Sequence, residues 1–179
     1  MKSDIIVIDS QGNGFRDAVN ESRKAAEYRG LNRQDSLHLE MITEEMLSMA
    51  RSVTGEMEAS FWIENEGRQF TLCLMTKTVM NSEKRYQLIS SSSSRKNEAA
   101  KSFLGKLRDT FEQAMASEVD KQYDELPNEL LSDISGRTFE DPEWDGYERS
   151  VLLKLADDVK IGIRGGVVTM TISKNFAEE

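Results

Sequence analysis

Long apolar runs, paired cysteines and an excess of basic charge are all missing from this 179-residue chain. No apolar run approaches the ~20 residues of a transmembrane helix, and Ile5 to Ile8 after Met1-Lys2-Ser3-Asp4 is too short for a secretory signal. A cytoplasmic protein is the expectation, with no membrane partner. The single cysteine, Cys73, can form no internal disulfide and has no neighbours at zinc-ligand spacing, so no metal site is expected. One histidine, His38, leaves a Ser-His-Asp triad without a positioned nucleophile, and its spacing from Leu39 and Ile42 predicts the exposed side of a helix. The formal net charge is -9, and a nucleic-acid-binding domain would need a basic face instead.

What is present describes one globular domain spanning 1–179, with 38% hydrophobic and 31% charged residues. Much of the negative charge lies in 120–145. Asp120, Asp124, Glu125, Glu129, Asp133, Glu140, Asp141, Glu143 and Asp145 stand there against only Lys121 and Arg137. Broken by Pro127 and Pro142, this stretch reads as irregular, with a short helix at 128–133. It is either a solvated loop or a contact for a basic partner surface.

Ile5 to Ile8 reads as a strand closed by the turn 10–14. Phe15, Ala18, Val19, Ser22, Ala25 and Ala26 fall at helical spacing, and Gly30 ends that helix. Asp35 or Ser36 is the expected cap of a second helix. In it Leu39, Ile42, Met46, Met49, Ala50 and Val53 form one apolar stripe, and Gly55 closes it. The stretch 58–63, a turn at 65–67, and Phe70, Leu72 and Leu74 alternating with Thr71 and Cys73 make a hairpin. Residues 81–94, ending in five serines, read as a loop. Ala100, Phe103, Leu104, Leu107, Phe111, Ala114 and Met115 give a strong helical period, and Val151, Leu152 and Leu155 a further helical face. Val159 to Ile163, the turn Gly165-Gly166 and Val167 to Ile172 make a closing hairpin. Strand, helix, helix, hairpin, helix, helix, hairpin is the pattern of an α+β two-layer sandwich. A mixed, mostly antiparallel sheet carries its helices on one face.

Leu37, His38, Leu39, the pair Glu44-Glu45, and Met49-Ala50 resemble the helix that carries the Glu-x-x-x-Asn box of histidine-kinase-like ATPases. The likeness is greatest to the bacterial anti-sigma-factor serine kinases. Leu155, Asp157, Val159, the turn Gly165-Gly166 and Val168-Thr169-Met170 are similar to the closing pattern of the same family. The resemblance covers 4–60 and 146–174. It implies the histidine-kinase-like ATPase domain fold, ATP and magnesium as ligands, a general base at Glu45 and a magnesium ligand at position 49. Met49, a thioether, stands in place of that asparagine, and a soft sulfur is a poor ligand for a hard cation. Where the family ends its central strand in Asp-x-Gly-x-Gly for adenine, this chain has Thr76-Lys77-Thr78-Val79-Met80. Where the family opens its phosphate-side helix in Gly-x-Gly-Leu, it has Gly146-Tyr147-Glu148-Arg149. Glu148 would repel the phosphates that glycine amides usually cradle.

The resemblance therefore implies a regulator that binds another protein and carries a degenerate ATP site, with 46–53 and the acidic segment as candidate contacts and a homodimer possible. An active serine kinase using Glu45 is the alternative, and a small-molecule sensor using the vacated pocket is a third reading. Two further readings are open for Ser94, Arg95, Lys96 and Lys101: an anion site ahead of a helix, or a loop with Ser94 or Asn97 as N-cap. Met46 and Met49 are expected to pack adaptably, and Trp62 and Trp144 to anchor core and loop.

Overall fold

The structure, a computed structural model, describes residues 1–55, 58–100, 110, 112, 113 and 151–177. The acidic segment, most of the 100–115 helix, Lys101, Trp144, Gly146 and Glu148 lie outside the described residues. Strand β1 (Ile6–Ile8) leads to helices α1 (Phe15–Tyr28) and α2 (Arg33–Thr54). The hairpin β2 (Ala59–Glu66) and β3 (Gln69–Lys77) follows, then α3 (Ser82–Ser90) and a 3-10 turn at Glu98–Ala100. Residues 151–155 are helical, here α4, ahead of β4 (Asp158–Arg164) and β5 (Val167–Asn175).

The five strands form one sheet in the order β1-β2-β3-β5-β4, and every strand pair is antiparallel. The expectation of a mixed sheet is corrected on this point, since the parallel contact at the sheet is an isolated bridge between Asn97 and Ile161. Alternation sets the two faces. Phe61, Ile63, Phe70, Leu72, Leu74, Val159, Ile161, Ile163, Val168, Met170 and Ile172 are buried in one core with Leu39, Ile42, Met46, Met49, Ala50 and Val53 of α2. Trp62, Thr71, Thr169, Thr171, Lys160 and Arg164 take the intervening positions on the outer face. The molecule is thus an α+β two-layer sandwich.

Small residues let α1 approach α2 closely. Ala18, Ser22, Ala25 and Ala26 are buried along it, and Ser22 Oγ meets Thr43 Oγ1 at 2.6 Å, which satisfies both hydroxyls inside the layer. Gly14 starts α1 at φ +80, and a Cβ there would fall 2.1 Å from Val7 O, so any other residue would push α1 off β1. The cap of α2 is Asn32, whose side chain accepts from Asp35 N at 2.8 Å. Asp35 and Ser36, the expected caps, are already inside the helix.

Residues 81–94 are the clearest departure from expectation. Asn81 caps α3 by accepting from Lys84 N at 2.8 Å, and the serines finish it: Ser90 and Ser91 donate to Gln87 O, and Ser92 donates to Ile89 O. The chain then covers the free edge of β4. Ser93 exchanges hydrogen bonds with Val159, and the Asn97 carboxamide exchanges two with Ile163, at 2.8 and 2.9 Å. An edge strand covered in this way cannot recruit a further strand.

Candidate functional site

Met49, Thr76, Thr78 and Met80 can be followed from the sequence into the fold. Met49 is 2% exposed and packs in the core, so its sulfur lines no open site. Thr76 is buried near the end of β3, where its hydroxyl donates to Glu58 O at 3.0 Å. Two residues on, Thr78 N donates to Gly166 O at 2.9 Å and Thr78 Oγ1 to Thr54 O at 3.4 Å. Met80 is half-buried against the core. From α3, Lys84 Nζ reaches Thr54 O at 3.4 Å and Thr78 Oγ1 at 3.5 Å.

The end of α2, the end of β3, the β4–β5 turn and the start of α3 therefore meet in one corner that satisfies itself. Lys84 supplies positive charge where the α2 dipole is negative and its last carbonyls lack partners. Gly166 has φ +75, and a Cβ on it would stand 2.8 Å from Thr78 O, so turn and strand end are in direct contact. The amide that a glycine-rich strand end would offer to a ligand is here bonded to the protein.

Glu45 is half-exposed on α2 and interacts within the protein. Its two-turn neighbourhood is uneven: Met41 is 47% exposed, whereas Met46 is fully buried. Of the candidate contact 46–53, Met46, Leu47, Met49, Ala50 and Val53 face inward, Ser48 is half-buried, and Arg51 and Ser52 lie outside. Among the described residues no group of three or more His, Cys, Asp or Glu side chains could hold a metal, and no helix is long and apolar enough to cross a membrane. Magnesium and ATP do not fit the described part of the corner, because the expected metal ligand is a core thioether and the strand-end amide is taken.

The chain matches no protein-family model, and no curated protein matches it significantly.

Ser94, Arg95 and Lys96 are exposed at the loop before the 3-10 turn. Ser94 Oγ donates to the Glu98 carboxylate at 3.4 Å and accepts from Lys96 N at 3.3 Å. A carboxylate thus already stands beside the hydroxyl that an anion would approach. Asn97 Oδ1 accepts from Ala99 N at 3.1 Å, the local capping role anticipated for it.

His38 is half-buried rather than exposed. Its Nε2 donates to Leu155 O at 2.9 Å and its ring meets Phe176 edge-on at 5.7 Å, so it joins α2 to the closing segment. Trp62 belongs to the outer sheet face and not to the core. Its Nε1 donates to Glu64 at 2.9 Å while Lys2 lies over the ring at 4.8 Å. That indole bond and then Lys2 hold the Glu64 carboxyl below its usual value.

A feature that the sequence reading did not anticipate is a trough on the outer face of the β4–β5 hairpin. It has a volume of about 660 Å³ and is lined by Lys160, Gly162 and Arg164 of β4, Val167, Thr169 and Thr171 of β5, Gly165 of the turn, and Glu98 and Ala99. Gly162 leaves a gap between two long cationic side chains on one strand face. Lys160 is paired with Asp158 at 3.0 Å, and Asp158 and then Glu98 raise its affinity for its proton. Among the described residues Arg164 has no such carboxylate. Sequence alternation alone marks Lys160, Gly162 and Arg164 as one face, and the missing side chain between them is the signal that was available.

Proposed function

We propose that this is a cytoplasmic regulatory protein related in design to the anti-sigma-factor kinases, acting by binding another protein and not by phosphoryl transfer. The observation that carries the reading is the self-satisfied corner of Thr54, Thr78, Gly166 and Lys84 beside a core-facing Met49. Element order and the antiparallel five-strand sheet support the kinship in architecture, while the corner supports loss of the ligand. With 46–53 turned inward, the contact surface on α2 moves to its outer side, where Leu37 and Met41 are 49% and 47% exposed one turn apart.

The half-exposed Glu45 is the feature that favours the rival, an ATP-dependent serine kinase. Calorimetric titration with ATP and magnesium separates the two. The regulatory reading expects no binding tighter than about 100 µM. A micromolar, magnesium-dependent constant that disappears in Glu45→Gln would establish the kinase reading instead. Affinity capture from the native cytoplasm, comparing wild type with Leu37→Glu/Met41→Glu, tests the contact surface. Equal capture by both forms removes α2 from the interface.

A further inference from the structure

We infer that the trough on the outer face of β4 and β5 binds a small amphipathic organic anion, a slender apolar body ending in one carboxylate or sulfonate. The site lies on the face of the sheet opposite the one that packs on α2, and its ligand class is independent of how the protein-binding reading fares.

Four observations set the ligand class. The volume, about 660 Å³, falls within the ~300–1,000 Å³ of small-molecule sites. The floor is Gly162, Val167 and the methyl-bearing Thr169 and Thr171, with Ala99 as a wall, which suits a flat or slender apolar body. Charge is then distributed unequally along the slot. At one end Lys160 is already neutralised by Asp158, and Glu98 adds a negative wall that repels an anion. Arg164 lies two residues beyond Gly162 on the same face, with no carboxylate within ion-pair distance among the described residues. An anionic head is accordingly drawn to the Arg164 end, where a guanidinium can grip two oxygens at once, and the body lies back over Gly162. A carboxylate stands at this end too: Gly165 N–H donates to Glu112 Oε1 at 3.0 Å, which braces the turn, and Glu112 makes no ion pair with Arg164, so the guanidinium is the group left to take the anionic head.

Gly162 also provides the test. A Cβ there would meet Ala99 N at 3.5 Å and Ala99 Cβ at 3.7 Å, ordinary contact distances, so a side chain is accepted by the backbone and grows into the slot. Displacement of 8-anilinonaphthalene-1-sulfonate fluorescence from the full chain by decanoate, with decanol as the uncharged counterpart, reads the site. In wild type decanoate should displace the dye at least about tenfold more effectively than decanol, the size of one charge-assisted hydrogen-bonded contact. Arg164→Gln should erase that preference while leaving decanol unchanged. Gly162→Leu should weaken both compounds about tenfold or more, with circular dichroism and melting temperature showing a folded chain. Gly162→Ala, which fills little of the slot, keeps the test informative if the leucine variant unfolds, and should weaken both compounds less. The proposal is overturned if wild type does not discriminate acid from alcohol, or if Arg164→Gln and the Gly162 variants bind both as wild type does.

Discussion

Replacing Met49 with asparagine would restore the residue type that the resemblance expects as a magnesium ligand, and the structure forecasts that it will damage the protein instead. Met49 is 2% exposed among Met46, Ala50 and the sheet side chains. Losing its apolar side chain removes about 1.5–3 kcal/mol of transfer free energy. A carboxamide left there without hydrogen-bond partners adds about 1–3 kcal/mol. The total is about 2.5–6 kcal/mol, a large part of the ~5–15 kcal/mol by which a domain is stable. At about 2–4 °C per kcal/mol for a chain of this size, the melting temperature should fall by roughly 5–24 °C. Met49→Leu keeps volume and polarity and should cost under about 1.5 kcal/mol. Thermal unfolding followed by circular dichroism, with and without ATP and magnesium, measures both. If Met49→Asn melts within about 2 °C of wild type, a margin below 1 kcal/mol, the side chain is not in the core. If ATP and magnesium stabilise the asparagine variant but not the wild type, position 49 opens onto a nucleotide site and the proposed function fails with it. Ligand at a hundred times its dissociation constant would add about 2.7 kcal/mol, well within detection.

Two other outcomes follow from the sheet. Asn97→Ala removes the carboxamide that bonds Ile163 N, Ile163 O and Ala99 N, and should destabilise by about 1–3 kcal/mol while speeding hydrogen exchange of the Ile163 amide; unchanged exchange there would mean that the segment does not cover β4 in solution. Burial pushes the Cys73 thiol up to about 11. The unfolded chain then loses its proton before the folded one, so stability should decline as pH rises from about 9 to 11, and Cys73→Ser should flatten that decline. Thiol alkylation of native protein at pH 8 should be slow beside that of denatured protein, and equal rates would contradict the burial.

The elements legible in the sequence were those whose side chains must divide between two environments. Phe70, Leu72 and Leu74 have to alternate because one face of β3 is core, and Leu39, Ile42, Met46, Met49 and Val53 have to recur at helical spacing because α2 lies along that face. Helix α3 escaped because nothing of the kind is demanded of it. Arg85 and Leu88 are its buried residues, and it is fixed by Asn81 at one end and serine hydroxyls at the other. The same serines that read as a loop are terminal caps, a role that depends on which carbonyls happen to be unpaired. Asp35 and Ser36 stand nearer the apolar stripe than Asn32 does, yet an acceptor three residues before Asp35 N is the geometry a cap requires. For the site, Met49 and the strand-end threonines were identifiable by type, but the engagement of Thr78 with Thr54, Gly166 and Lys84 joins residues up to 88 positions apart and is visible only after folding.

These contacts bear on where any partner can reach the protein. On the helix side of the sheet, β3 alone buries Phe70, Leu72, Leu74 and Thr76, and α2 fills the space above them with Met46, Met49, Ala50 and Val53. A nucleotide entering there would have to displace close-packed side chains and break the Lys84 and Gly166 contacts before making any of its own. The outer sheet face presents the opposite case. Around Gly162 the side chains of Val167, Thr169 and Thr171 are half-exposed, and the glycine opens a slot. Edge pairing is closed at β4 by Ser93 and Asn97. On the reading proposed above, a protein would be recognised on the outer side of α2, where Leu37 and Met41 are exposed, and a small anion on the outer face of the β4–β5 hairpin, two surfaces on opposite sides of the same sheet.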